Sequence, residues 1–278
     1  MSGPESLDAE ALRGWIGRTE AARDAITPRL LREFQATLYD DAAAIISPAI
    51  HWCLAPSAAS TASLGPDGHP ARGEFLPPVP LPRRMWAGGA LTFHDPLRLG
   101  DQVERRSRIA DVAVKRGRTG TLCFVTIEHE FTTDRGLAIA ERQDIVYREM
   151  QAGQAAPAAK ADPPRPQWQR DATAGPVLLF RYSALTFNGH RIHYDRSYAT
   201  EVEGYPGLVV HGPLQATLLL DFAASLNGAA PRQFRFRGLQ PLFDFEPFRL
   251  CAREQDGGLH LWTETANQSR RMEATASW

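Results

Sequence analysis

A helix that is apolar around most of its circumference must be covered on several sides, and residues 213–226 read as such a helix. Pro213 sits at its first helical position, Gly212 just before it and Gly228 just past its end. Leu214, Leu218, Phe222 and Leu226 share one face, which Leu219 and Ala223 widen. A sheet wrapped around the helix would cover a stripe of that width. Four strand-like runs follow it and can supply one, at 234–242, 248–253, 260–265 and 271–277.

The same order, helix first and strands after, occurs upstream. Residues 7–25 carry Leu12, Trp15, Ile16 and Ala22 at helical spacing. Thr27 and Pro28 then form an N-cap and first-position pair. They start a second helix over 29–39, with Leu30, Leu31, Phe34 and Leu38 on its apolar face. Residues 50–54 read as a short strand. Residues 56–84 are rich in Pro, Gly, Ser and Ala and form a long loop, of a length more often functional than idle. Strands are expected at 90–93, 101–114, 119–132 and 137–148, the last two joined as a hairpin at Thr133-Asp134-Arg135-Gly136. Residues 151–166 are Ala-, Pro- and Gln-rich without apolar periodicity and read as a linker.

Local text recurs as well. The run from Pro28 to Leu38 echoes the run from Pro213 to Leu218. Phe93-His94-Asp95-Pro96-Leu97-Arg98-Leu99 echoes Phe243-Asp244-Phe245-Glu246-Pro247-Phe248-Arg249-Leu250. Both echoes come in the same order, which favours duplication: two similar domains, 1–150 and 169–278, with 151–168 between them. At 278 residues and 43% hydrophobic composition the chain is long enough to bury both cores. A net charge of −1 leaves no electrostatic footprint for nucleic acid and no polybasic membrane surface. No apolar run approaches the roughly 20 residues that span a bilayer. The opening residues are polar and acidic, unlike a secretory signal. Cys53, Cys123 and Cys251 are far apart and odd in number, which argues against a disulfide framework or a Cys-rich zinc site. A reducing cytoplasm is the expected compartment.

Chemistry-bearing residues concentrate in one place. Phe187-Asn188-Gly189-His190-Arg191-Ile192-His193-Tyr194-Asp195 holds two of the chain's eight histidines, and His211-Gly212 adds a third at the start of the apolar helix. Phe187, Ile192, Leu208, Val209 and Val210 are apolar neighbours able to exclude water. Residues 14–26, before the first capped helix, contain no histidine, so one set of chemical groups serves both domains.

A long helix followed by an antiparallel sheet, twice over, resembles the MaoC-like hydratases and dehydratases. The fold this implies is α+β: a double hotdog of two tandem domains, each a long central helix wrapped by an antiparallel β-sheet. That family carries a loop of the pattern Gly-Asp-x-Asn-Pro-aliphatic-His, whose Asp and His hold the water that adds to, or leaves, an acyl thioester. Asn188 to His193 has this spacing. His193 falls on the catalytic His and Ile192 on the aliphatic position. Asn188 stands where the family has Asp, His190 where it has Asn and Arg191 where it has Pro. His211-Gly212 matches the family's His-Gly pair, whose glycine N–H faces the thioester oxygen. The loop variant is similar to one branch, the hydroxyacyl-thioester dehydratases of type 2 and the mesaconyl-C4-CoA and itaconyl-CoA hydratases. Trp15-Ile16-Gly17-Arg18 and Arg84-Met85-Trp86-Ala87-Gly88-Gly89 resemble its N-terminal half.

The resemblance implies a hydro-lyase acting on enoyl or 3-hydroxyacyl thioesters, with a CoA thioester as substrate and no cofactor. His193 suits proton transfer near neutral pH. Asn188 cannot act as a base, so it is expected to position the water. Asp195 is the nearest carboxylate and either assists or orients an imidazole. The N–H of Gly212, at a helix N-terminus, suits an enolate oxygen. Arg191, Arg83 and Arg84 are candidates to pair with a substrate carboxylate or a CoA phosphate, which points to a small dicarboxylic acyl-CoA. Trp86, Phe187, Val210 and His211 complete the candidate substrate pocket, to which the N-terminal domain contributes the acyl wall.

Blander readings stand beside these. His190 and His211 also read as structural, Arg191 as a salt-bridge residue and Trp86 as core. His190, His193 and His211 could ligate a metal, but no carboxylate or Cys completes a familiar zinc pattern, and no metal is expected. The competing functions are a 3-hydroxyacyl-ACP or -CoA dehydratase of fatty acid metabolism, a thioesterase, which Asn188 disfavours for want of a carboxylate, and an acyl-thioester-binding module without turnover. A homodimer is the expected assembly, with no nucleic-acid or membrane partner.

Overall fold

A computed structural model describes residues 7–39, 46–117, 120–149 and 165–278. Ten strands build one antiparallel sheet: β1 (Thr19–Ala25), β2 (Arg83–Phe93), β3 (Gln102–Gly117), β4 (Gly120–Thr133), β5 (Gly136–Arg148), β6 (Trp168–Ala172), β7 (Gln233–Gly238), β8 (Phe248–Gln255), β9 (Gly258–Thr265) and β10 (Arg270–Ser277). Their order across the sheet is β1-β3-β4-β5-β2-β7-β10-β9-β8-β6. Read inward from each edge, the first five run 1-3-4-5-2 and the second five 6-8-9-10-7. The second pattern is the first advanced by five, as a duplicated unit requires.

The halves join where β2 pairs with β7, from Gly88 opposite Arg237 to Thr92 opposite Gln233. The seam needs the glycines. A Cβ on Gly88 would lie 2.5 Å from the Phe236 carbonyl oxygen, and one on Gly89 would lie 2.6 Å from that of Arg142. For the same reason the sequence reading started this strand at Ala90; the strand itself begins at Arg83 and carries a bulge between Trp86 and Gly88.

The described residues hold four α-helices: α1 (Ala9–Arg13), α2 (Pro28–Leu38), α3 (Pro176–Leu185) and α4 (Gly212–Asn227); α1 packs on β3, and α4 on β2 and β7 to β10. The apolar helix α4 is the core element expected, with Leu214, Ala216, Leu219, Leu220, Phe222 and Ala223 buried. Gly228 ends it in the left-handed region at φ 76°. Thr27 caps α2 as read from sequence, its side chain accepting from Leu30 N at 3.1 Å.

Several expectations are corrected. Residues 7–25 are not one helix: only Ala9–Arg13 is helical, and Gly17 at φ 88° turns the chain into β1. There Glu20 and Arg23 form cross-strand ion pairs with Arg105 and Glu104. The strand expected at 50–54 is a 3₁₀ segment, Pro48–Cys53, started by Pro48 and capped by Ser47. Helix α3 and the polar edge strand β6 carried no clear period and were not foreseen. Most of the expected linker, residues 151–164, lies outside the described residues, and β6 opens at its last assigned position, Trp168.

The two textual echoes fare differently. Phe93 to Leu99 and Phe243 to Leu250 do fall on equivalent connections, β2 to β3 and β7 to β8. Pro28 and Pro213 do not mark equivalent helices. Helix α2 follows β1 as α3 follows β6, and α2 packs on α3; α4 packs instead on Pro48–Cys53, the segment before β2. The shared Pro reflects a common way of starting helices rather than a common position. No helix among the described residues is long and apolar enough to cross a membrane.

Candidate active site

The chain leaves α3 through Phe187, at φ 49°, and folds Asn188 back onto the helix end, its N–H donating to Ser183 O at 2.8 Å. The Asn188 Oδ1 then accepts the His190 N–H at 3.0 Å. This Asx turn leads into the single 3₁₀ turn Arg191–His193. A second segment, ending at His211, runs alongside: Val209 N donates to Ile192 O at 3.0 Å, and Val210 N to Leu242 O at 2.8 Å. The catalytic-loop reading and the His-Gly reading therefore meet in space.

His193 is buried, and its Nδ1 lies 2.7 Å from the Val209 carbonyl oxygen. A carbonyl can only accept, so the proton sits on Nδ1 and the Nε2 lone pair is left for chemistry. The His211 ring stacks on it, with centroids 3.6 Å apart and planes 20° from parallel. His211 is itself locked by Ser183 Oγ at 2.8 Å from Nε2. Burial pushes the His193 imidazole down to about 4 and holds His211 well below its ordinary value. Both rings are neutral at physiological pH, as a proton acceptor must be. Gly212 opens α4 directly after His211, and its N–H donates to no described residue. The end of α4 thus offers an unused donor where charge would develop.

A second loop closes over the first, and here the sequence reading missed two residues. Residues 64–71 of the long N-terminal loop dock on the loop 187–195. Arg191 N donates to Asp67 O at 2.9 Å, and Arg191 Nη1 to Pro66 O at 3.1 Å. Gly68 and Gly189 touch through bare backbone, so closely that a Cβ on Gly189 would lie 2.5 Å from the Gly68 oxygen. This brings Asp67 and His69 into the site. Asp67 Oδ1 accepts from His69 N at 3.1 Å, and Oδ2 lies 3.1 Å from His69 Nδ1. The His69 ring packs on His190 at 4.1 Å, and His190 meets His193 edge-on at 5.3 Å. Burial pushes His69 down to about 4 despite the bond to Asp67, with Arg84 adding to the effect; burial also lowers His190. Donor atoms of Asp67, His69 and His190 all lie within 4.8 Å of one another. The length and glycine content of residues 56–84 were the available signal; nothing local marked Asp-Gly-His as its working part.

The candidate arginines separate. Arg191 grips Asp195 with two nitrogens, at 3.0 and 2.7 Å, and lies over the Tyr198 ring. Its guanidinium braces the two loops together, the salt-bridge role also read from the sequence. Asp195 also accepts from Tyr198 N at 3.1 Å; among the described residues it serves this brace and hydrogen-bonds to no imidazole. Arg83 is paired with Glu203 at 3.3 Å, donates to the Glu203 carbonyl and covers Tyr205. It too is a brace. Arg84 differs: no carboxylate among the described residues pairs with it, and its charge is felt at His69 and His190. Trp86 packs against Trp52 and Phe236 and donates to Gly88 O at 2.9 Å, a core position beside Gly212. Val210 is buried behind the imidazoles, whereas Phe187 stands exposed at the rim.

Solved structures share this architecture. The chain is similar to a MaoC-like dehydratase from Phytophthora capsici, with 15% identity and a TM-score of 0.71 over 98% of each chain. It is also similar to a Mycobacterium tuberculosis protein with a double hotdog fold, with 14% identity and a TM-score of 0.56 over 94% of this chain and 95% of that one. The fold is a double hotdog, and the site sits between its halves. The family model of hydroxyacyl-thioester dehydratase type 2 matches residues 49–244, and the chain belongs to that family. It is 44% identical over 267 residues to a mesaconyl-C(4)-CoA hydratase of Chloroflexus aurantiacus, over 94% of this chain and 95% of the relative.

Proposed function

We propose that the protein is a hydro-lyase that adds water across, or removes it to form, the α,β-double bond of an acyl thioester. Its substrate is a small dicarboxylic acyl-CoA such as mesaconyl-C4-CoA or itaconyl-CoA. The observation that carries the reading is the buried, neutral His193, its Nε2 freed by the bond from Nδ1 to Val209 and set beside the N-terminus of α4. The 44% identical hydratase supports the substrate class.

In the hydration direction the water oxygen bonds to Cβ while one of its protons passes to His193 Nε2. The π electrons move onto the thioester oxygen, and the Gly212 N–H and the positive end of α4 stabilise the enolate there. One such donor is worth about 2.7–4 kcal/mol. The imidazolium then returns its proton to Cα, leaving the enzyme unchanged. The step needs no cofactor. Asn188, whose Oδ1 accepts the His190 N–H, presents its amide to the water and positions it. Arg84 takes the free carboxylate of the substrate, since Arg83 and Arg191 are engaged.

The test is loss of enoyl-thioester absorbance with mesaconyl-C4-CoA, itaconyl-CoA and crotonyl-CoA side by side, with His193→Ala as control. Turnover of an acidic substrate that the variant abolishes without a change in fold is expected. Near-wild-type turnover by His193→Ala would refute the assignment. Activity confined to crotonyl-CoA or longer chains would move the enzyme to the 3-hydroxyacyl-ACP or -CoA dehydratases. A cytoplasmic homodimer belongs to the same proposal and is checked by fractionation and light scattering.

A further inference from the structure

Asn188 leaves the site one group short. A water held for attack has two O–H bonds, and it is aimed only when both have acceptors. His193 Nε2 supplies one. Asn188 offers less than a carboxylate would: its one oxygen, Oδ1, already takes the His190 N–H at 3.0 Å, and its other terminal group is an N–H₂ that can only donate.

We propose that the missing acceptor comes from the other half of the molecule: His69 Nε2, backed by the Asp67 carboxylate, holds the second hydrogen of the attacking water. The inference rests on the hydratase reading. His69 is a catalytic residue in this account and Asp67 a positioning residue. Asp67 sits 3.1 Å from His69 Nδ1, which places that ring's proton on Nδ1 and leaves its Nε2 as an acceptor, the same tautomer that Val209 imposes on His193. Asp67 is held below the usual carboxylate range: burial works against this, and the hydrogen bonds from His69 outweigh it. The His69 and His193 rings both pack on His190, with centroids 4.1 and 5.3 Å from its ring, so the two imidazoles belong to one cluster. Its ring is only partly covered, with 17% of the side chain exposed, so water reaches it. The dyad cannot drift, because Asp67 O is fastened to Arg191 N and the Gly68–Gly189 contact admits no side chain. The proton balance of hydration is unchanged. One water proton passes to His193 and on to Cα, while the other stays on the new hydroxyl, released by His69 as product leaves.

The groups facing His69 are Asp67, His190, Arg84 and Arg72, with His193 beyond. His69→Gln is expected to lower kcat by about 100-fold with KM within threefold, in the range for a lost acid–base contact. Imidazole added to His69→Ala is expected to restore at least tenfold. Asp67→Asn, which keeps an oxygen for the His69 N–H, is expected to cost about tenfold in kcat and to gain nothing from imidazole. Adding Asn188→Asp to His69→Gln is expected to recover activity, since it returns a carboxylate to the water. A His69→Gln enzyme within threefold of wild type, while His193→Ala is inactive, overturns the proposal and leaves the hydratase reading intact. A wild-type enzyme inactive on every enoyl thioester overturns both. One tightly bound metal ion per chain, lost in His69→Gln and required for turnover, would hand Asp67, His69 and His190 to a metal and overturn the acceptor role.

Discussion

Replacing Gly68 by Ala tests whether the N-terminal loop is a working part of the site or a passive cover. Gly68 has φ 84°, a region that costs a Cβ-bearing residue about 1–2 kcal/mol. The steric demand is larger. A Cβ on Gly189 would meet the Gly68 oxygen at 2.5 Å, and one on Gly68 is more tightly confined against the Gly189 carbonyl. Ordinary contact near 3.4 Å therefore requires the loops to part by about 1 Å or more. That movement pulls Asp67 off Arg191 N and carries His69 away from His190. A displacement of about 1 Å at positioned groups costs on the order of 100-fold in rate. The strain itself is confined to a surface loop, so stability should fall by no more than about 2 kcal/mol. Steady-state kinetics on the acidic enoyl-CoA and thermal melting, run in parallel, separate the two effects. Activity of Gly68→Ala within threefold of wild type would refute the claim that loop docking sets the reacting geometry.

Arg84→Ala should weaken kcat/KM for a dicarboxylic substrate by about 10- to 100-fold and leave crotonyl-CoA nearly unchanged, as for a charge-assisted hydrogen bond; equal losses would refute a carboxylate role. Arg191→Ala should instead lower both substrates alike, because it loosens the loop brace with Asp195 and Pro66. Stability should carry a pH signature from Asp221, on α4. Burial raises its carboxyl to about 6 from 3.8, against hydrogen bonds from Tyr39 at 2.5 Å and Ser47 at 2.6 Å. A raised carboxyl favours the fold below 3.8, and that advantage is lost as pH rises through 6, by at most about 3 kcal/mol. Asp221→Asn should remove this slope, so its stability relative to wild type grows between pH 4 and 6 in denaturant titrations. A difference independent of pH would refute it.

What the sequence made legible follows from where physical signals are local. Helix α4 announced itself through its apolar circumference and its Gly and Pro ends, and β3 to β5 through alternation and a hairpin turn. The cluster of Asn188, His193 and Gly212 was legible because a tight loop and a helix N-terminus keep such groups within a few residues. Strand β1 was misread because Ala22, Trp15 and Leu12 satisfy a helical period by accident, and the competing cross-strand pairs to Arg105 and Glu104 lie some 80 residues away. The arginines' partners were hidden for the same reason. Arg191 and Arg83 looked alike as free cations until the fold paired them with Asp195 and Glu203.

The deeper omission concerns how a duplicated fold divides its labour. An N-terminal half with no catalytic loop of its own reads from sequence as a wall. Joining β2 to β7 through Gly88 and Gly89 sets that half edge to edge with the other, and the connection leading into β2 is then long enough to reach across. Its tip meets the catalytic loop glycine to glycine, the one pairing that lets two backbones touch there. Once they touch, the residues flanking Gly68 face the imidazoles whatever their distance in sequence. An amide rather than a carboxylate at position 188 then costs the active site little if, as proposed, Asp67 and His69 hold the water. Restoring Asp at 188 in the His69→Gln background asks whether these two arrangements are interchangeable, and a recovered rate would make the loop the functional heir of the missing side chain.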